Sequence, residues 1–292
     1  MKLLVPGAKG QVGAALLDCA GAEEVEVVGL DRSGLDITDE DAVFRALEEH
    51  EPDLVINAAA YTTVDRAEDE PELAFQTNRD GARYVASACA TASIPLIHLS
   101  TDFVFDGRKS EPYVEDDTPN PLSVYGRSKW EGEEAVREVL DKHVILRTSW
   151  VFSPHGSNFV RTMLGLARVQ RELQVVGDQH GCPTPADAIA VAVLVIYRRI
   201  LEVADSWGTY HFAGQPPTTW FSFAEAIVEQ VRLRSLSRVD NIVSITTGQY
   251  PTKALRPMNS VLATDKIEAK FGVRAPDWRE ALPRTVSAIL DS

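Results

Sequence analysis

A glycine-rich turn between a short apolar strand and a helix is the feature that most constrains the fold of this chain. Lys2–Pro6 is an apolar run that predicts a buried strand, Gly7, Gly10 and Gly13 follow at once, and Ala14–Ala20 is typical of a helix. The glycines would allow a tight turn, a close approach of the backbone to a pyrophosphate, and close packing of the helix on the strand. Phosphate oxygens would then meet the free N–H groups at the helix N-terminus. The pattern predicts a dinucleotide-binding βαβ unit, although a glycine turn that holds no ligand would have the same spacing.

An acidic residue follows the second predicted strand, Val25–Leu30. Asp31 lies about 20 positions beyond the glycines, where a carboxylate would bind an adenosine ribose. A plain turn aspartate would occupy the same position. The charge of Asp31 would repel a 2′-phosphate and favour NADH, whereas the adjacent Arg32 could accept that phosphate, so both NADH and NADPH remain open. Thr38 or Asp39 is expected to cap the next helix.

Two further predicted strands, Asp53–Asn57 and Ile94–Ser100, end in residues suited to a ligand site. Ala58–Ala60 would let a flat cofactor lie against the backbone, at the strand ends where open parallel sheets bind ligands. Tight packing of the strand end would explain the same small residues. Thr101 carries a hydroxyl that could bond a substrate carbonyl oxygen. Asn78, inside the predicted helix 71–92, either faces solvent or holds the backbone near the site.

Tyr125 and Lys129 are four residues apart at the start of a predicted helix that runs to about Asp141, so their side chains should share one face. An ammonium beside the phenol would lower the tyrosine pKa from about 10 toward working pH and make the phenol a general acid. A solvated helix face would have the same spacing. The alternation of strands and helices brings this helix in directly after the fourth strand.

The alternation loosens after the fifth predicted strand, His143–Arg147. Trp150, just beyond it, is explained equally by core packing and by a ligand platform. We expect an α/β fold with a Rossmann-type doubly wound parallel sheet and a smaller, interleaved C-terminal α+β substrate region. Residues 1–150 plus about 172–205 would bind the dinucleotide, and about 151–171 and 206–292 would bind substrate. The elements predicted here are helices at 158–169, 184–203, from Trp220 (with Ser222 as N-cap) and 278–290, and strands at 173–176, 208–213 and 242–246.

The composition argues against several classes of function. The chain has 292 residues, of which 45% are hydrophobic and 25% charged, as in an ordinary globular protein. The net charge of −14 argues against nucleic acid or an anionic membrane as partner. No apolar run approaches the about 20 residues that span a bilayer. Cys19, Cys89 and Cys182 are widely spaced, which predicts reduced thiols, a cytoplasmic protein and no cysteine cluster for a metal.

Together these motifs resemble the extended short-chain dehydrogenase/reductase superfamily and, within it, the dTDP-4-dehydrorhamnose reductase family. The Tyr/Lys pair is shared by the whole superfamily, whereas the segments around Trp150 and Arg256-Pro257 are more particular. The resemblance extends nearly end to end. It is carried by Gly7–Gly13, Asn57–Asp65, Ser100–Gly107, Tyr125–Glu133, Arg147–Trp150, Gly181–Pro185 and Tyr250–Ser260.

The resemblance implies reduction of the C4 ketone of a dTDP-4-dehydro-6-deoxy-L-mannose by NADPH or NADH, in nucleotide-sugar and cell-surface polysaccharide biosynthesis. Tyr125 would protonate the C4 oxygen, Lys129 would hold the nicotinamide ribose and lower the tyrosine pKa, and Thr101 would hydrogen-bond the same oxygen. The implied cofactor-binding residues are Gly7, Gly10, Gln11, Val12, Gly13, Asp31, Arg32, Asp36, Ile37, Ala59, Ala60, Tyr61 and Thr62, besides Tyr125 and Lys129. The implied substrate-binding residues are Val64, Thr101, Asp102, Phe103, Trp150 and Arg256, the last as a partner of the nucleotide diphosphate.

Two positions depart from the family pattern. Phe103 stands where the family often has Tyr, so a hydroxyl contact to the sugar is missing, and Cys182 replaces the more usual Ala. Two alternatives remain: another nucleotide-sugar epimerase or dehydratase, and a non-catalytic subunit that resembles the β subunit of methionine adenosyltransferase. No catalytic metal is expected, and a homodimer is compatible with the sequence.

Overall fold

The computed structural model of the protein describes residues 2–21, 25–200, 202–203 and 206–291. The strands are β1 (Lys2–Pro6), β2 (Glu26–Leu30), β3 (Leu54–Asn57), β4 (Leu96–Thr101), β5 (His143–Thr148), β6 (Val151–Phe152), β7 (Glu172–Val176), β8 (His180–Gly181), β9 (Thr184–Pro185), β10 (Gly208–His211), β11 (Thr218–Thr219) and β12 (Asn241–Ile245). The central sheet has the order β10-β5-β4-β3-β1-β2, and its pairings are parallel. Its central strands are buried and apolar because helices cover both faces.

Five of the helices that the structure describes begin at a residue whose side chain caps them. Asp39 accepts a hydrogen bond from the Ala42 N–H at 3.0 Å, as predicted, and so begins α2. Within the described ranges, no helix combines the length and apolar character needed to cross a membrane. The helices are α1 (Gln11–Ala20), α2 (Glu40–His50), α3 (Val64–Ala67), α4 (Pro71–Phe75), α5 (Gly81–Ala92), α6 (Val124–Val139), α7 (Phe159–Ala167), α8 (Ala186–Ile200), α9 (Trp220–Arg232), α10 (Asp265–Phe271) and α11 (Trp278–Leu290).

The order of the strands predicts a crevice at the carboxyl ends of the central sheet. α1 and α8 pack together on one face around Leu16 and Ile189, and α2, α5 and α6 cover the other face around Val43 and Val136. β1 pairs with β2 on one side and β3 on the other, so the strand order reverses at β1. Ligands of open α/β sheets bind at the carboxyl ends of the strands beside such a reversal. The predicted doubly wound α/β class is confirmed.

A second apolar core lies in the C-terminal half, where α7, α9 and α11 pack around Phe152, Phe223 and Trp278. β7 lies in the stretch expected to bind the dinucleotide, yet it pairs with β12 in a separate small sheet. β10 lies in the stretch expected to bind substrate, yet it pairs with β5 in the central sheet. The division into two domains stays a prediction. Its boundary near residue 205 and the chain ends at 1 and 292 lie outside the described residues.

Most predicted elements are observed with ends displaced by one to three residues, and the two-residue strands β6, β8, β9 and β11 were not predicted. Other points also differ. The N-cap of α9 is Thr219, whose Oγ1 accepts from the Ser222 N–H at 3.1 Å, so the prediction of Ser222 as the cap is wrong. The predicted helix 71–92 is interrupted by a π-helical turn, Gln76–Asp80. α3 and α10 were not predicted, because helices of four and seven residues are too short to show a periodic pattern.

A buried ion pair fixes α6 on the sheet. Glu133 on α6 is fully buried, and Arg147 on β5 donates to its two carboxylate oxygens at 2.9 and 2.7 Å. Ser100 and Arg137 donate to the same carboxylate at 2.6 and 2.8 Å. Burial alone would raise the pKa of Glu133, but the guanidinium groups outweigh it and lower the pKa to about 2. The helix that carries Tyr125 is therefore anchored to both β4 and β5.

Replacing Glu133 should destabilise the protein strongly. We expect Glu133→Gln to lower the free energy of unfolding by about 3–5 kcal/mol in urea titrations followed by circular dichroism, because Arg147 is left buried and uncompensated. Glu134→Gln, which removes a half-exposed partner of Arg137, is the matched control and should cost under about 1 kcal/mol.

The contribution of Glu133 to the free energy of unfolding should also depend on pH in a defined direction. The folded-state pKa of Glu133 lies below the ordinary value of 4.5, so its stabilising contribution is complete above that pH and is lost as the pH falls toward 2. Equal destabilisation by Glu133→Gln and Glu134→Gln would contradict this role of the Glu133–Arg147 pair. So would a Glu133→Gln protein whose stability falls at low pH just as that of the wild type does.

Candidate active site

The glycine turn between β1 and α1 is packed too closely for side chains. Gly7 has a φ of 86°, and a Cβ added there would lie 2.5 Å from the backbone nitrogen of Ala59. A Cβ on Gly13 would lie 2.3 Å from the Gly7 carbonyl oxygen. None of the described side chains caps the N-terminus of α1 at Gly10. The N–H groups of its first turn are therefore available to an anion.

A cavity of about 250 Å³ opens beside this turn, at the carboxyl ends of β2 and β3. Most of the predicted cofactor-binding residues lie in its wall, and Lys9, Leu35 and Thr77 join them without having been predicted. The wall consists of Gly7, Lys9, Gly10, Asp31, Arg32, Leu35, Asp36, Ile37, Ala58, Ala59, Ala60, Tyr61 and Thr77.

Besides Gly13, Tyr125 and Lys129, three predicted cofactor residues are absent from the wall of this cavity. The side chain of Val12 is buried in the apolar core under the turn, so only its backbone could face a ligand. Gln11 turns its amide oxygen to Asn158, whose Nδ2 donates to it at 3.0 Å. Thr62 is exposed and does not line the cavity. The roles predicted for these residues stay predictions.

The negative charge of Asp31 is stabilised by backbone hydrogen bonds and by an ion pair. Its Oδ1 accepts from the N–H groups of Ser33 and Gly34 at 2.9 and 3.0 Å, and its Oδ2 forms an ion pair with Lys9. The Lys9 ammonium is the main group that holds the pKa of Asp31 well below its usual range. Arg32 donates to Asp36 at 3.1 Å. The cavity therefore offers an ionised carboxylate for a ribose diol and a neighbouring cation that the sequence analysis did not consider.

These features fit an adenine dinucleotide. The glycine cradle leaves room for a pyrophosphate, and Ala58–Ala60 form a flat backbone surface at the end of β3. Within the ranges that the structure describes, no group of three His, Cys, Asp or Glu side chains is placed to hold a metal ion. The absence of a catalytic metal stays a prediction.

Tyr125 lies in the first turn of α6. Ser123 caps this helix by accepting from the Gly126 N–H at 3.1 Å. The phenol ring is half-buried and contacts the edge of Phe103, with ring centroids 5.6 Å apart. Burial raises the pKa of Tyr125 to about 12, and a hydrogen bond with Thr101 offsets this only partly. The predicted fall of the tyrosine pKa is therefore wrong for this arrangement, in which the phenol keeps its proton at neutral pH.

Lys129 lies one turn further along the same face and is 2% exposed. Its Nζ donates to the Leu99 carbonyl oxygen at 2.7 Å and lies 3.4 Å from Nε2 of His98. Burial lowers the pKa of Lys129 to about 8, and Glu133 offsets part of this effect. The ammonium thus contacts β4 instead of the phenol, which explains why it does not acidify Tyr125.

The end of β4 supplies the polar groups nearest to Tyr125. Thr101 is buried, and its Oγ1 donates to Asp102 Oδ1 at 3.1 Å and accepts from the Phe103 N–H at 3.2 Å. Asp102 is 2% exposed, and burial raises its pKa to about 7. Thr101, Asp102 and Phe103 therefore lie together beside Tyr125, and their substrate-binding role stays a prediction.

Asn78 holds the backbone near the site, one of the two roles left open by the sequence. It lies in the π-helical turn and is 1% exposed. Its Oδ1 accepts from the Tyr61 N–H at 2.8 Å, and its Nδ2 donates to the Tyr61 carbonyl at 3.0 Å and to Ser128 Oγ at 2.9 Å. A Cβ on Gly132 would lie 2.1 Å from the Asn78 carbonyl oxygen. Asn78 thus ties the first cavity, through Tyr61, to the helix that carries Tyr125 and Lys129.

A second cavity of about 560 Å³ lies between α3, α7, β7 and the 250–256 loop. Arg256 stands at its edge and forms a forked pair with Asp65, with Nη1–Oδ1 and Nη2–Oδ2 distances of 3.1 and 2.6 Å. This pair joins the loop to α3, next to Val64. The cavity is lined by Asp65, Phe159, Thr162, Met163, Leu166, Gln174, Val175, Val176, Gln179, Trp220, Tyr250, Pro251, Thr252 and Arg256.

Trp150 belongs to an aromatic stack beside this second cavity. Its φ is 44°, a left-handed conformation that bulky residues rarely adopt and that the surroundings must enforce. Its indole stacks on Trp220, with centroids 3.5 Å apart and planes 7° from parallel. A Cβ on Gly181 would lie 2.3 Å from the Trp150 ring, so only glycine fits there. Trp150 therefore packs against the second apolar core, and its role as a ligand platform stays a prediction, since its stacking partner Trp220 lines the cavity and Trp150 does not.

Comparison with known proteins links this arrangement to a family. The family model described as "RmlD substrate binding domain" matches residues 1–290. A curated dTDP-4-dehydrorhamnose reductase of Sinorhizobium fredii is 45% identical, over 99% of this chain and 98% of the relative. A crystal structure of a dTDP-4-dehydrorhamnose reductase from Clostridium acetobutylicum superposes with a TM-score of 0.91 at 36% identity and covers 100% of both chains. The Bacillus anthracis enzyme of the same name, solved in complex with NADP, has a TM-score of 0.89 at 34% identity, over 100% of this chain and 99% of that one.

Gly181→Ala should disturb the stack, because the added methyl group would overlap the Trp150 ring. We expect a changed near-ultraviolet circular dichroism spectrum and a loss of about 1–3 kcal/mol in unfolding free energy. Gly165→Ala is the control, since a Cβ there meets nothing within 4 Å. Identical spectra for wild type and Gly181→Ala would contradict the tight contact.

Proposed function

The chain belongs to the family described by the RmlD substrate binding domain model, and on that premise we propose that it reduces the C4 ketone of dTDP-4-dehydro-6-deoxy-L-mannose to dTDP-L-rhamnose with NADPH or NADH. The observation that carries the proposal is the position of Tyr125. It is a protonated phenol at the carboxyl ends of the strands, beside Thr101 and joined through Asn78 to the first cavity. Full-length relatives with this activity in their names support the same conclusion.

The acid of the reaction is Tyr125. Because its pKa is raised to about 12, the phenol carries its proton throughout the neutral range and can give it to the C4 oxygen as negative charge develops there. Thr101 lies close enough to Tyr125 to hydrogen-bond the same oxygen. Lys129, one turn further along the same helix face, would stabilise the phenolate that remains and hold the nicotinamide ribose. The contact of Tyr125 with Thr101 and the shared helix face of Tyr125 and Lys129 support these three proposed roles.

The cofactor would lie along the first cavity. The N–H groups of the first turn of α1 would hold its pyrophosphate, Asp31 its adenosine ribose, and Ala60 and Tyr61 its nicotinamide half. When bound, the reduced nicotinamide supplies the hydride that the protein itself lacks. The chain orients the ring, excludes water with the buried ends of β3 and β4, and holds the acid in place.

The substrate would occupy the second cavity and extend from it toward Tyr125. A space of about 560 Å³ suits a nucleotide, and the Arg256 guanidinium at its edge suits a diphosphate. Val64, Asp102, Phe103 and Trp150 would surround the deoxysugar between this cavity and Tyr125. Asp65 now holds Arg256, so a diphosphate would compete with that carboxylate for the guanidinium fork.

The alternatives are less well supported. A dehydratase would need a second carboxyl group next to Asp102, and Phe103 occupies that place. Solved nucleotide-sugar epimerase and dehydratase structures superpose at 20–22% identity, which shows a shared fold only. A purely regulatory subunit would have no need of an intact Thr101, Tyr125 and Lys129 set.

Cofactor oxidation with purified nucleotide sugars decides among these functions. We expect stoichiometric oxidation of NADPH or NADH with dTDP-4-dehydrorhamnose and much slower oxidation with a UDP-linked 4-keto sugar. An epimerase would consume no added cofactor. No turnover with the dTDP sugar, under conditions in which both ligands bind, would overturn the proposal.

Tyr125→Phe should separate binding from chemistry. Removing the hydroxyl takes away the proton donor, so kcat should fall by about 10²–10⁴-fold, while the dissociation constant of NADPH measured by fluorescence should change little. Phe103→Tyr, which adds a hydroxyl beside the same ring, is the control and should keep turnover. A Tyr125→Phe enzyme with near wild-type kcat would show that another group is the acid.

Lys9→Ser should shift cofactor preference toward NADH. Without the Lys9 ammonium, the Asp31 carboxylate is uncompensated and repels a 2′-phosphate. We expect the ratio of kcat/KM for NADPH to that for NADH to fall by about fivefold at low ionic strength, and by less at high salt. Lys9→Arg keeps the charge and should keep the ratio. An unchanged ratio in Lys9→Ser would mean that Lys9 does not face the phosphate.

A further inference from the structure

A buried chain of polar side chains leads from the end of β3 to Lys129. Asn57 and His98 are paired residues on β3 and β4, so their side chains lie next to each other on one face of the sheet. Asn57 Nδ2 lies 3.2 Å from His98 Nδ1, and His98 Nε2 lies 3.4 Å from Lys129 Nζ. Asn57 and His98 are each 1% exposed, and Lys129 is 2% exposed. The reaction described above uses the last of these groups but does not explain the first two.

The backbone fixes which way the Asn57 amide points. The N–H of Ala59 donates to Asn57 Oδ1 at 3.1 Å, and this bond needs an oxygen acceptor. The amide nitrogen of Asn57 must therefore face His98 and donate to it. A donor there requires that His98 Nδ1 be the acceptor, which places the single proton of a neutral imidazole on Nε2.

His98 has no reason to carry a second proton. Burial is the largest cause that lowers its pKa well below the ordinary value, and the Lys129 ammonium adds to it. The other charged groups that act on the ring are Glu133 and Arg137 on α6 and His143 on β5, of which only Glu133 favours protonation. A neutral ring with hydrogen on Nε2 therefore faces Lys129.

Among the residues that the structure describes, this tautomer leaves the Lys129 ammonium incompletely bonded. An ammonium has three N–H donors and no acceptor, and the Leu99 carbonyl at 2.7 Å takes one of them. Nε2–H of His98 is also a donor and cannot take a second. In the alternative tautomer, Nε2 would be unprotonated. It would accept a hydrogen bond from the Lys129 ammonium and hold it against β4.

We propose that Asn57 and His98 are positioning residues for the reductase: by presenting a donor instead of an acceptor to Lys129, they keep two of its N–H groups free for the ribose of the nicotinamide cofactor and for Tyr125. This proposal rests on the proposed function for the part that concerns the cofactor. The tautomer itself is a property of the protein alone. The two can therefore fail separately.

The first test uses the unmodified protein and needs no activity. Histidine labelled with ¹⁵N at both ring positions reports its tautomer by NMR, and a His98→Phe sample identifies the signals of His98. We expect His98 to be neutral with the proton on Nε2 between about pH 6 and 9. A proton on Nδ1, or a doubly protonated ring at neutral pH, would overturn the proposal whatever the enzyme reduces.

The second test reverses the direction of the hydrogen bonds that link Asn57, His98 and Lys129. Asn57→Asp keeps the size of the side chain and the acceptor for the Ala59 N–H, but it replaces the donor to His98 with an acceptor. The ring proton should move to Nδ1, and Nε2 should then accept from Lys129. We expect the NADPH dissociation constant, measured by fluorescence, to rise about tenfold at pH 7 and kcat to fall, because the ammonium is held at β4.

The pH dependence distinguishes this effect from that of a new negative charge. In the wild type, the Lys129 charge should be lost as the pH rises through about 8, and NADPH affinity should weaken there. Asn57→Asp should move this loss of NADPH affinity to higher pH. At lower pH it should weaken NADPH binding relative to the wild type. The double variant Asn57→Asp/His98→Phe has the new charge but lacks the imidazole. Its NADPH affinity should still weaken at a higher pH than in the wild type, but its affinity at pH 7 should no longer be reduced.

Two outcomes would overturn the proposal. One is an Asn57→Asp protein whose ring proton moves to Nδ1 while NADPH affinity and kcat stay at wild-type values. The other is the same weakened binding in the double variant, which would show that charge acts without the imidazole. If both NMR and NADPH binding follow the expectation but no sugar nucleotide is reduced, the positioning holds and the proposed reaction is wrong.

Discussion

The site depends on the position of one helix face against the carboxyl end of β4. Tyr125, Lys129 and Glu133 are spaced by four residues, so they form a single row along α6. Glu133, at the inner end of the row, is clamped by Arg147 and Ser100. The row cannot rotate or slide without breaking that buried pair, which explains how a phenol in the first turn of a helix is held at a fixed place above the sheet.

The environment of each residue in the row determines its protonation. Glu133 is ionised because two guanidinium groups outweigh its burial, whereas the pKa of Lys129 is lowered to about 8 and that of Tyr125 is raised to about 12 because burial dominates. A reductase needs a proton donor in its ground state, and a phenol with a raised pKa carries that proton at neutral pH, although it is a weaker acid than the tyrosine predicted from the spacing. The cation matters after proton transfer, when it can stabilise the phenolate.

Much of the fold and part of the site could be predicted because the signals are local. The glycine turn, the acidic residue after β2 and the Tyr125/Lys129 spacing each involve neighbours in the sequence. The pKa of Tyr125 could not be predicted, since it depends on burial by Phe103 and on the contact of Lys129 with Leu99. The pairing of Arg256 with Asp65 joins residues 191 positions apart, and no periodic pattern encodes it. The π-helical turn at Asn78 was missed because its composition suits an ordinary helix.

The most direct test of the central claim is a crystal structure of the protein with NADP and dTDP-L-rhamnose bound together. Our account predicts the Tyr125 hydroxyl within about 2.6–3.2 Å of the C4 oxygen of the sugar, with Lys129 Nζ also within hydrogen-bonding distance of the nicotinamide ribose. A complex in which another acidic group faces the C4 oxygen and Tyr125 lies beyond hydrogen-bonding distance would contradict it.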